Sequence, residues 1–333
     1  MTEASATRRG VIGAVFAAAA LGAGPLRAAT GVPEAATLLV PGPEDGPAAA
    51  FAQRAAQGLA RGLVQAAALR VSLLGGPDGI TAANRFAATS APDGRLLLLL
   101  PGQAAQALLV GDGRARYEPR HWPAVAGSVA PVLVAGRGAP AETQPLRLAL
   151  PGPTAPEAGA LLALDLLGRV ATPVFLPPGM APEAAVGAGV ADAVVLSGRG
   201  AAARATSLGL SPWFTFDGGR PGRDPGLPEV TSFGEMLSDP AQPELVAALR
   251  AAGAALRVRG VLVLPALTSA DSVALWRGAA RRWVEDAQEA DATGARRVAG
   301  EDAADALATL FPPPGATAAY RDWLRRRLNW QAG

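Results

Sequence analysis

The chain has 333 residues, of which 50% are hydrophobic and 17% charged, and this composition excludes a protein that is disordered because of charge and polarity. The absence of cysteine excludes disulfides, thiolate metal sites and thiol nucleophiles, and the single histidine, His121, leaves little for a catalytic triad or a multi-histidine metal site. The 30 basic residues face 28 acidic ones, so the formal net charge of +2 gives no sign of a nucleic-acid-binding surface.

The N-terminus has the parts of an export signal. Arg8 and Arg9 precede an apolar stretch from Val11 to about Ala23, and small residues follow it. A basic start, a short apolar core and a small-residue exit are typical of a secretory signal, and paired arginines indicate the twin-arginine route. We predict a signal peptide over residues 1–29 and a periplasmic mature protein. The alternative is an uncleaved anchor or a buried N-terminal helix.

Two segments of the chain have the pattern of a strand, a turn and a helix. The apolar run Ala36–Val40 is ended by Pro41-Gly42-Pro43, and apolar residues then recur every four positions from Phe51 to Leu63. The pattern returns about 110 residues later, where Leu146–Leu150 is followed by Pro151-Gly152-Pro153 and a helical segment. The repetition predicts two α/β lobes.

Further strands and helices follow along the chain. Continuous apolar runs predict strands at Leu69–Leu74, Arg95–Leu100, Pro131–Ala135, Ala193–Leu196 and Gly260–Leu264. Helical periodicity dominates from Gln242 to about Leu256 and from Ser269 to Ala287. Because such strands are typical of sheets buried on both faces and alternate with helices, we predict an α/β fold with mainly parallel sheets. Ligands of such folds bind beyond the carboxyl ends of the strands.

Five motifs in a fixed order resemble those of a transport-receptor family. They are Leu39–Gly46, Ala91–Gly94 followed by Leu96–Leu100, Tyr117–Pro119 followed by Trp122–Ala126, Leu227–Val230 with Phe233 and Glu235, and Gly260–Ala266. Their order and spacing are similar to those of the substrate-binding proteins of tripartite tricarboxylate transporters, the Bug-type periplasmic receptors. The resemblance extends from about Ala36 to Trp283.

The resemblance implies a type II periplasmic binding protein fold, with two α/β lobes, a hinge and an interlobe cleft. Pro131–Ala135 and Gly260–Leu264 would be the hinge crossings. Lobe one would combine residues 36–134 with 261–333, and lobe two would be residues 135–260.

The implied function is a periplasmic solute-binding receptor, without cofactor or metal, that captures a small organic ligand, expected to be a carboxylate. Its partners would be this small organic acid and the membrane permease subunits of the transporter, and we expect a monomer. The alternative is an exported, receptor-derived protein with a degenerate pocket that acts as a sensory or interaction partner. An enzyme is not expected, because Leu196–Gly200 lacks the G-x-S-x-G pattern and Gly75–Gly79 is not a phosphate-binding loop.

The loops expected to hold the ligand depart from the family pattern. An expected Asp at the start of the first helix is Ala49, and the second loop reads Gly75–Ala82 without the family's G-x-G-G-N-x-G. In lobe two, Thr154 and Glu157 stand at the positions of the family's Ser and His. The family loop P-Y-K-G becomes Leu176–Gly179. These departures leave the ligand class open.

Candidate ligand-binding residues lie in the matching loops of both lobes. Those predicted for lobe one are Pro43, Glu44, Asp45, Gly46, Gly79, Ile80, Thr81 and Gln103, and those predicted for lobe two are Thr154, Ala155, Pro177, Ser197 and Arg199.

Several of these candidates have two possible roles. Glu44 and Asp45 either point inward, which would favour a cationic ligand, or are solvated residues at a helix N-terminus. Thr81 and Thr154 either donate to the ligand or cap their helices. Arg199 either holds a carboxylate with two hydrogen bonds or is a solvated loop residue.

Overall fold

The structure is a computed structural model that describes residues 34–63, 68–139, 145–217, 222–237, 242–286 and 294–331. The predicted signal peptide, including Arg8 and Arg9, lies outside the described residues, as does the end of the helix predicted to reach Ala287. A search of the described part of the chain finds no helix whose length and apolar character would let it cross a membrane.

The described residues form strands that alternate with helices along most of the chain. The strands are β1 (Ala35–Val40), β2 (Ala68–Leu73), β3 (Leu96–Leu100), β4 (Ala124–Val129), β5 (Val132–Gly136), β6 (Leu146–Leu150), β7 (Ala171–Phe175), β8 (Ala193–Ser197), β9 (Ser211–Thr215), β10 (Val258–Val263) and β11 (Arg296–Ala299). The helices are α1 (Pro47–Gly62), α2 (Ile80–Thr89), α3 (Gly102–Val110), α4 (Ala158–Leu166), α5 (Pro182–Gly187), α6 (Ala201–Ser207), α7 (Phe233–Met236), α8 (Pro243–Arg257), α9 (Ala270–Glu285), α10 (Gly300–Thr309) and α11 (Pro314–Leu328).

Two sheets divide these strands and define two lobes. The sheet of lobe one has the order β11-β4-β10-β3-β1-β2, and the sheet of lobe two has the order β7-β6-β8-β5-β9. Helices α1 and α9 cover one face of the first sheet, and α2, α3 and α10 cover the other. In lobe two, α4, α8 and α11 pack on one face and α5 and α6 on the other. Each sheet is therefore buried on both faces, as the continuous apolar runs predict.

Both sheets are mixed, which corrects the expectation of mainly parallel sheets. Strand β1 is parallel to β2 and β3, and β6 is parallel to β7 and β8. However, β10 is antiparallel to β3 and β4, and β5 is antiparallel to β8 and β9. Burial on both faces produces an apolar run in either orientation, so the sequence pattern could not distinguish the two.

The first two passages of the chain between the lobes lie side by side, at Ala130 and Arg257. Strand β4 ends in the first sheet and β5 begins in the second, and the backbone N–H of Ala130 between them donates to the carbonyl of Arg257 (2.8 Å) at the end of α8. The buried Arg257 guanidinium also bonds Asp224 (2.6 Å), which belongs to the segment that follows β9. The two crossings are therefore joined directly by a hydrogen bond.

The C-terminal helix departs from the expected division of the chain. Residues 261–333 were expected in lobe one, and β11 and α10 do pack there. Helix α11 instead buries Tyr320, Trp323 and Leu324 in the lobe-two core, together with residues of α4 and α8. The chain therefore returns to lobe two after α10, because the apolar face of α11 packs against those two helices.

Candidate functional site

The cleft between the lobes holds a cavity of about 710 Å³. It lies at the carboxyl ends of β1, β3, β6 and β8, where the chain turns toward α1, α3, α4 and α6. Strand ends, loops and helix N-termini meet at this position in open α/β sheets, and ligands bind there. The described residues that line the cavity are Gly42, Pro43, Gly46, Pro47, Ala48, Ala50, Phe51, Arg54, Pro77, Leu99, Pro101, Gly102, Gln103, Ser128, Pro156, Glu157, Ser197, Gly198, Arg199, Arg204, Ala255, Leu256, Val258 and Arg259.

The wall formed by lobe one is mostly apolar and includes the first turns of α1. The backbone N–H of Gly46 donates to the carbonyl of Pro43 (3.1 Å), and this turn leads directly into the helix. Among the described side chains, none caps α1, so the free N–H groups at its start favour negative charge nearby, although Pro47 lacks one. Arg54 and Gln103 add polar side chains to this wall.

The wall formed by lobe two is built around the turn between β8 and α6. Arg204 donates to the backbone carbonyls of Ser197 and Arg199, both at 2.7 Å, and its Nε lies 3.7 Å from Glu183. These bonds fix the turn that carries Arg199, whose exposed side chain lines the cavity. Arg204 therefore supports the turn, while Arg199 can reach a ligand.

A third part of the wall connects the lobes. Arg259, at the start of β10, donates to the hydroxyl of Ser197 in β8 (2.9 Å), so this hydrogen bond joins the two sheets. Glu157 lies immediately before α4 and lines the same cavity. Burial raises the pKa of the Glu157 carboxyl above its ordinary value, and the positive charge of Arg259 acts in the opposite direction.

Buried polar groups lie behind the loop that carries Glu157. The side-chain amide of Gln106, from α3, donates to the backbone carbonyl of Thr154 (3.1 Å). Tyr320 of α11 is fully buried, and this burial raises the pKa of its hydroxyl; the negative charge of Glu157 adds to that rise. The loop before α4 is therefore attached to α3, and α11 lies close to Glu157.

The structure brings together some of the residues predicted from sequence and separates others. Pro43, Gly46, Gln103, Ser197 and Arg199 line the cavity. The predicted residues that are described but do not line it are Glu44, Asp45, Gly79, Ile80, Thr81, Thr154, Ala155 and Pro177.

The capping roles considered for four of these residues are not observed. Glu44 and Asp45 are exposed in the turn before α1, where the residue at the N-cap is Gly46. The N-cap residues of α2 and α4 are Gly79 and Glu157, so neither Thr81 nor Thr154 caps its helix.

Four charged residues of the cavity were not among the predicted ligand-binding residues: Arg54, Glu157, Arg204 and Arg259. Arg259 interrupts an otherwise buried strand, and a charged residue within an apolar run is a signal that could have indicated a site. Arg54 follows Phe51 by one helical turn on α1, so the two share a face that opens into the cleft.

Comparison by sequence finds no matching family model and no matching curated protein. Comparison of structures finds similar folds. A TctC solute-binding protein from Polaromonas, solved without ligand, is 16% identical with a TM-score of 0.62; 88% of this chain and 98% of that one are covered. MatC from Rhodopseudomonas palustris, with bound malate, is 20% identical with a TM-score of 0.53, covering 88% and 100%. The periplasmic binding protein BugD is 17% identical with a TM-score of 0.52, covering 87% and 98%. The chain has the two-lobe α/β fold of these solute-binding proteins.

Proposed function

We propose that this protein is an exported solute-binding receptor of the Bug type, which captures a small organic acid in its interlobe cleft. The observation that carries the proposal is the charge of the cavity. Arg54, Arg199 and Arg259 line it against one acid among the described lining residues, and a fourth arginine of the wall, Arg204, faces Glu183. An anionic ligand would compensate this surplus of positive charge.

The size and position of the cavity support a small-molecule ligand. A volume of about 710 Å³ lies within the range of pockets that enclose small ligands, and both lobes contribute to its wall. A ligand there would contact α1 and Arg54 from lobe one and Arg199 from lobe two, so it would favour closure about the hinge.

The structural neighbours support a carboxylate in particular. MatC has this fold and was solved with malate bound, and malate carries two carboxylates. Arg199 and Arg54 lie on opposite walls of the present cavity, an arrangement suited to a ligand with an anionic group at each end. We therefore place dicarboxylates first in any ligand screen.

Thermal stabilisation by candidate ligands tests the proposal. A compound that binds only the folded state stabilises it by RT ln(1 + [L]/Kd), so 100 Kd of ligand adds about 2.7 kcal/mol. We expect at least one small dicarboxylate to raise the melting temperature, and calorimetry to give a single binding site. If the protein is folded and no organic acid raises its melting temperature, the receptor proposal fails. The second candidate, a receptor-derived protein with a degenerate pocket that acts as a sensory or interaction partner, then takes its place.

The proposal also includes export and delivery. We propose that residues 1–29 are a signal peptide, that the mature protein is a periplasmic monomer, and that it passes its ligand to membrane permease subunits. Replacing both Arg8 and Arg9 by Lys should block twin-arginine export, although the apolar core stays intact. Unchanged accumulation of that variant outside the cytoplasm would show that the arginine pair is not required.

A further inference from the structure

The arginine-rich cavity contains an acid that simple capture of an anion does not explain. Glu157 is the single acidic residue among the described residues that line the cavity. It lies at the N-terminus of α4, where a helix would otherwise favour the negative charge of a ligand. A ligand group placed next to this helix end therefore meets the negative charge of Glu157.

Glu157 is held in place by its surroundings. Its loop is fixed to α3 through the Gln106–Thr154 hydrogen bond of 3.1 Å. From β10, the charge of Arg259 acts on its carboxyl, and Arg259 itself bonds Ser197. From α11, the buried Tyr320 hydroxyl lies within reach of its charge.

The remaining charged groups that face the same cavity are arginines on other elements. They are Arg54 on α1, Arg199 in the turn after β8 and Arg204 on α6. Together with Arg259 they keep the cavity positive overall, so an anionic ligand remains favoured while one position in the cavity is acidic.

We propose that Glu157 is a specificity-determining residue whose carboxylate accepts a hydrogen bond from the ligand. On this view the cleft prefers acids with a hydroxyl or amino substituent over unsubstituted acids of the same length. The inference rests on the proposed function and narrows its ligand class to substituted organic acids.

Two physical effects favour binding of a substituted acid over an unsubstituted one. A hydroxyl or ammonium group of the ligand can donate to the Glu157 carboxylate, and a bond to a charged acceptor is stronger than one between neutral groups. An unsubstituted acid offers no donor to the half-buried Glu157 carboxylate, and sites built to hydrogen-bond a substituent discriminate strongly against ligands that lack it. We expect a preference of about tenfold or more.

Matched series of acids test the inference. Calorimetry would compare succinate, malate and aspartate, and then the corresponding unsubstituted, 2-hydroxy and 2-amino acids with five and six carbons. The comparison of the 2-hydroxy with the 2-amino acids identifies which donor the site takes. Each series would be measured on the wild type, on Glu157→Gln, and on Glu44→Gln as a control for loss of an exposed acid outside the cavity.

The expected result is a preference for a substituted acid in the wild type and in Glu44→Gln. In Glu157→Gln the ratio of the affinity for a substituted acid to the affinity for the unsubstituted acid of the same length should fall by about tenfold. The reason is that the neutral amide is a weaker acceptor and can donate to a carboxylate instead. An unchanged ratio in Glu157→Gln, or no preference in the wild type, would overturn the inference while the receptor function stands. Absence of binding by every acid would remove the proposed function and the inference with it.

The pH dependence of binding gives a second readout. The ionised carboxylate is a stronger hydrogen-bond acceptor than the protonated acid, and burial raises the pKa of free Glu157 above its ordinary value. Affinity of the wild type for a substituted acid should therefore fall, relative to Glu157→Gln, as pH is lowered through that raised pKa. The titration of the ligand affects both proteins equally, so it cancels in the ratio of the wild-type affinity to the Glu157→Gln affinity. A ratio that moves in the opposite direction would mean that the charge of Glu157 opposes binding more than its hydrogen bond favours it, and the inference would be wrong.

Discussion

The two Pro-Gly-Pro turns have the same sequence and opposite environments. In the turn after β1, the N–H of Gly42 donates to the carbonyl of Gly75 (3.2 Å), and Gly42 and Pro43 line the cavity. A Cβ atom on Gly42 would lie 2.7 Å from that carbonyl oxygen. In the turn after β6, a Cβ atom on Gly152 would meet nothing within 4 Å, and the turn does not reach the cavity.

This difference extends to the chemistry of the two cavity walls. Lobe one brings its turn and the start of α1 directly to the cavity, so its wall is mostly backbone and apolar surface, to which Arg54 and Gln103 add polar side chains. In lobe two the Pro-Gly-Pro turn stays outside, and the charged groups of the wall come from Glu157 and from the turn that carries Arg199. Equivalent sequence positions in two similar lobes therefore do not supply equivalent groups to the cavity wall.

The strongest test of this comparison is removal of the lobe-two cation. If Arg199 holds a ligand carboxylate, Arg199→Ala should weaken binding by on the order of 2–4 kcal/mol, because a desolvated carboxylate loses its partner. Arg199→Lys should recover only part of that loss, since a point charge cannot form two parallel hydrogen bonds. Calorimetric titration with the best acid of the screen measures both.

A distant arginine serves as the matched control for Arg199. Arg281 is exposed on α9, outside the cavity lining, so Arg281→Ala should leave Kd unchanged. Full affinity in Arg199→Ala would mean that lobe two does not provide the anion contact. Arg54, in the wall of lobe one, would then be the expected contact for the anionic group of the ligand.

A second test replaces the glycine of each turn. Gly42→Ala should reduce the free energy of unfolding by roughly 1–3 kcal/mol, because its methyl group would overlap the Gly75 carbonyl and force the turn to move. Gly152→Ala should be neutral or stabilising by up to about 1 kcal/mol, since the methyl meets open space and the unfolded chain loses freedom. Urea unfolding of both variants measures the difference, and equal effects would show that the two turns are packed alike.

The sequence predicted seven of the strands that the structure describes, including the edge strand β2, and missed four others. Strand β6 has the predicted limits, and β1, β3 and β8 differ by one residue at one end. The strands that were not predicted as such are β4, β7, β9 and β11, and β7, β9 and β11 lie at sheet edges. Edge strands are short and can contain residues such as Pro173, so they lack the continuous apolar runs of central strands.

The site was less predictable than the fold because its residues come together only in three dimensions. Arg199 and Gln103 follow predicted strands directly, so the rule that ligands bind at strand ends found them. Arg259 comes from the strand that follows a long helix, and Glu157 enters because its loop is fixed to α3 by Gln106. The family pattern placed Glu157 in a ligand loop, but no local pattern specifies the long-range contact between Gln106 and that loop.

The pH dependence of stability gives a third, smaller test, in which two acids of lobe two should behave oppositely. Burial raises the pKa of Glu157 above 4.5, so its ionisation is less favourable in the folded state, and stability should fall as pH rises from 4.5 through that raised value. A hydrogen bond from Arg147 (2.9 Å) lowers the pKa of Asp192 below 3.8, so stability from that pair is lost as pH falls below that value.

Glu157→Gln separates these two contributions. Its stability relative to the wild type should increase between pH 4.5 and pH 7.5, because the penalty for ionising Glu157 is absent from the variant. The loss of stability at low pH that is due to Asp192 should remain in the variant. Parallel curves for variant and wild type above pH 4.5 would show that Glu157 is solvated rather than buried in the wall of the cavity.

The smallest expected effect is a change in overall dimensions when the two walls approach one another. The lobes already touch where Arg259 bonds Ser197, and where Gly294, just before β11, packs against the backbone of Arg199. Closure about Ala130 and Arg257 should therefore be limited, and saturating acid should reduce the radius of gyration only slightly. Small-angle scattering of the wild type with and without the acid measures this, with Arg199→Ala under the same conditions as the control that should not contract. Superimposable wild-type curves, obtained while calorimetry shows saturation, would mean that the walls do not move and that the ligand enters a preformed cavity.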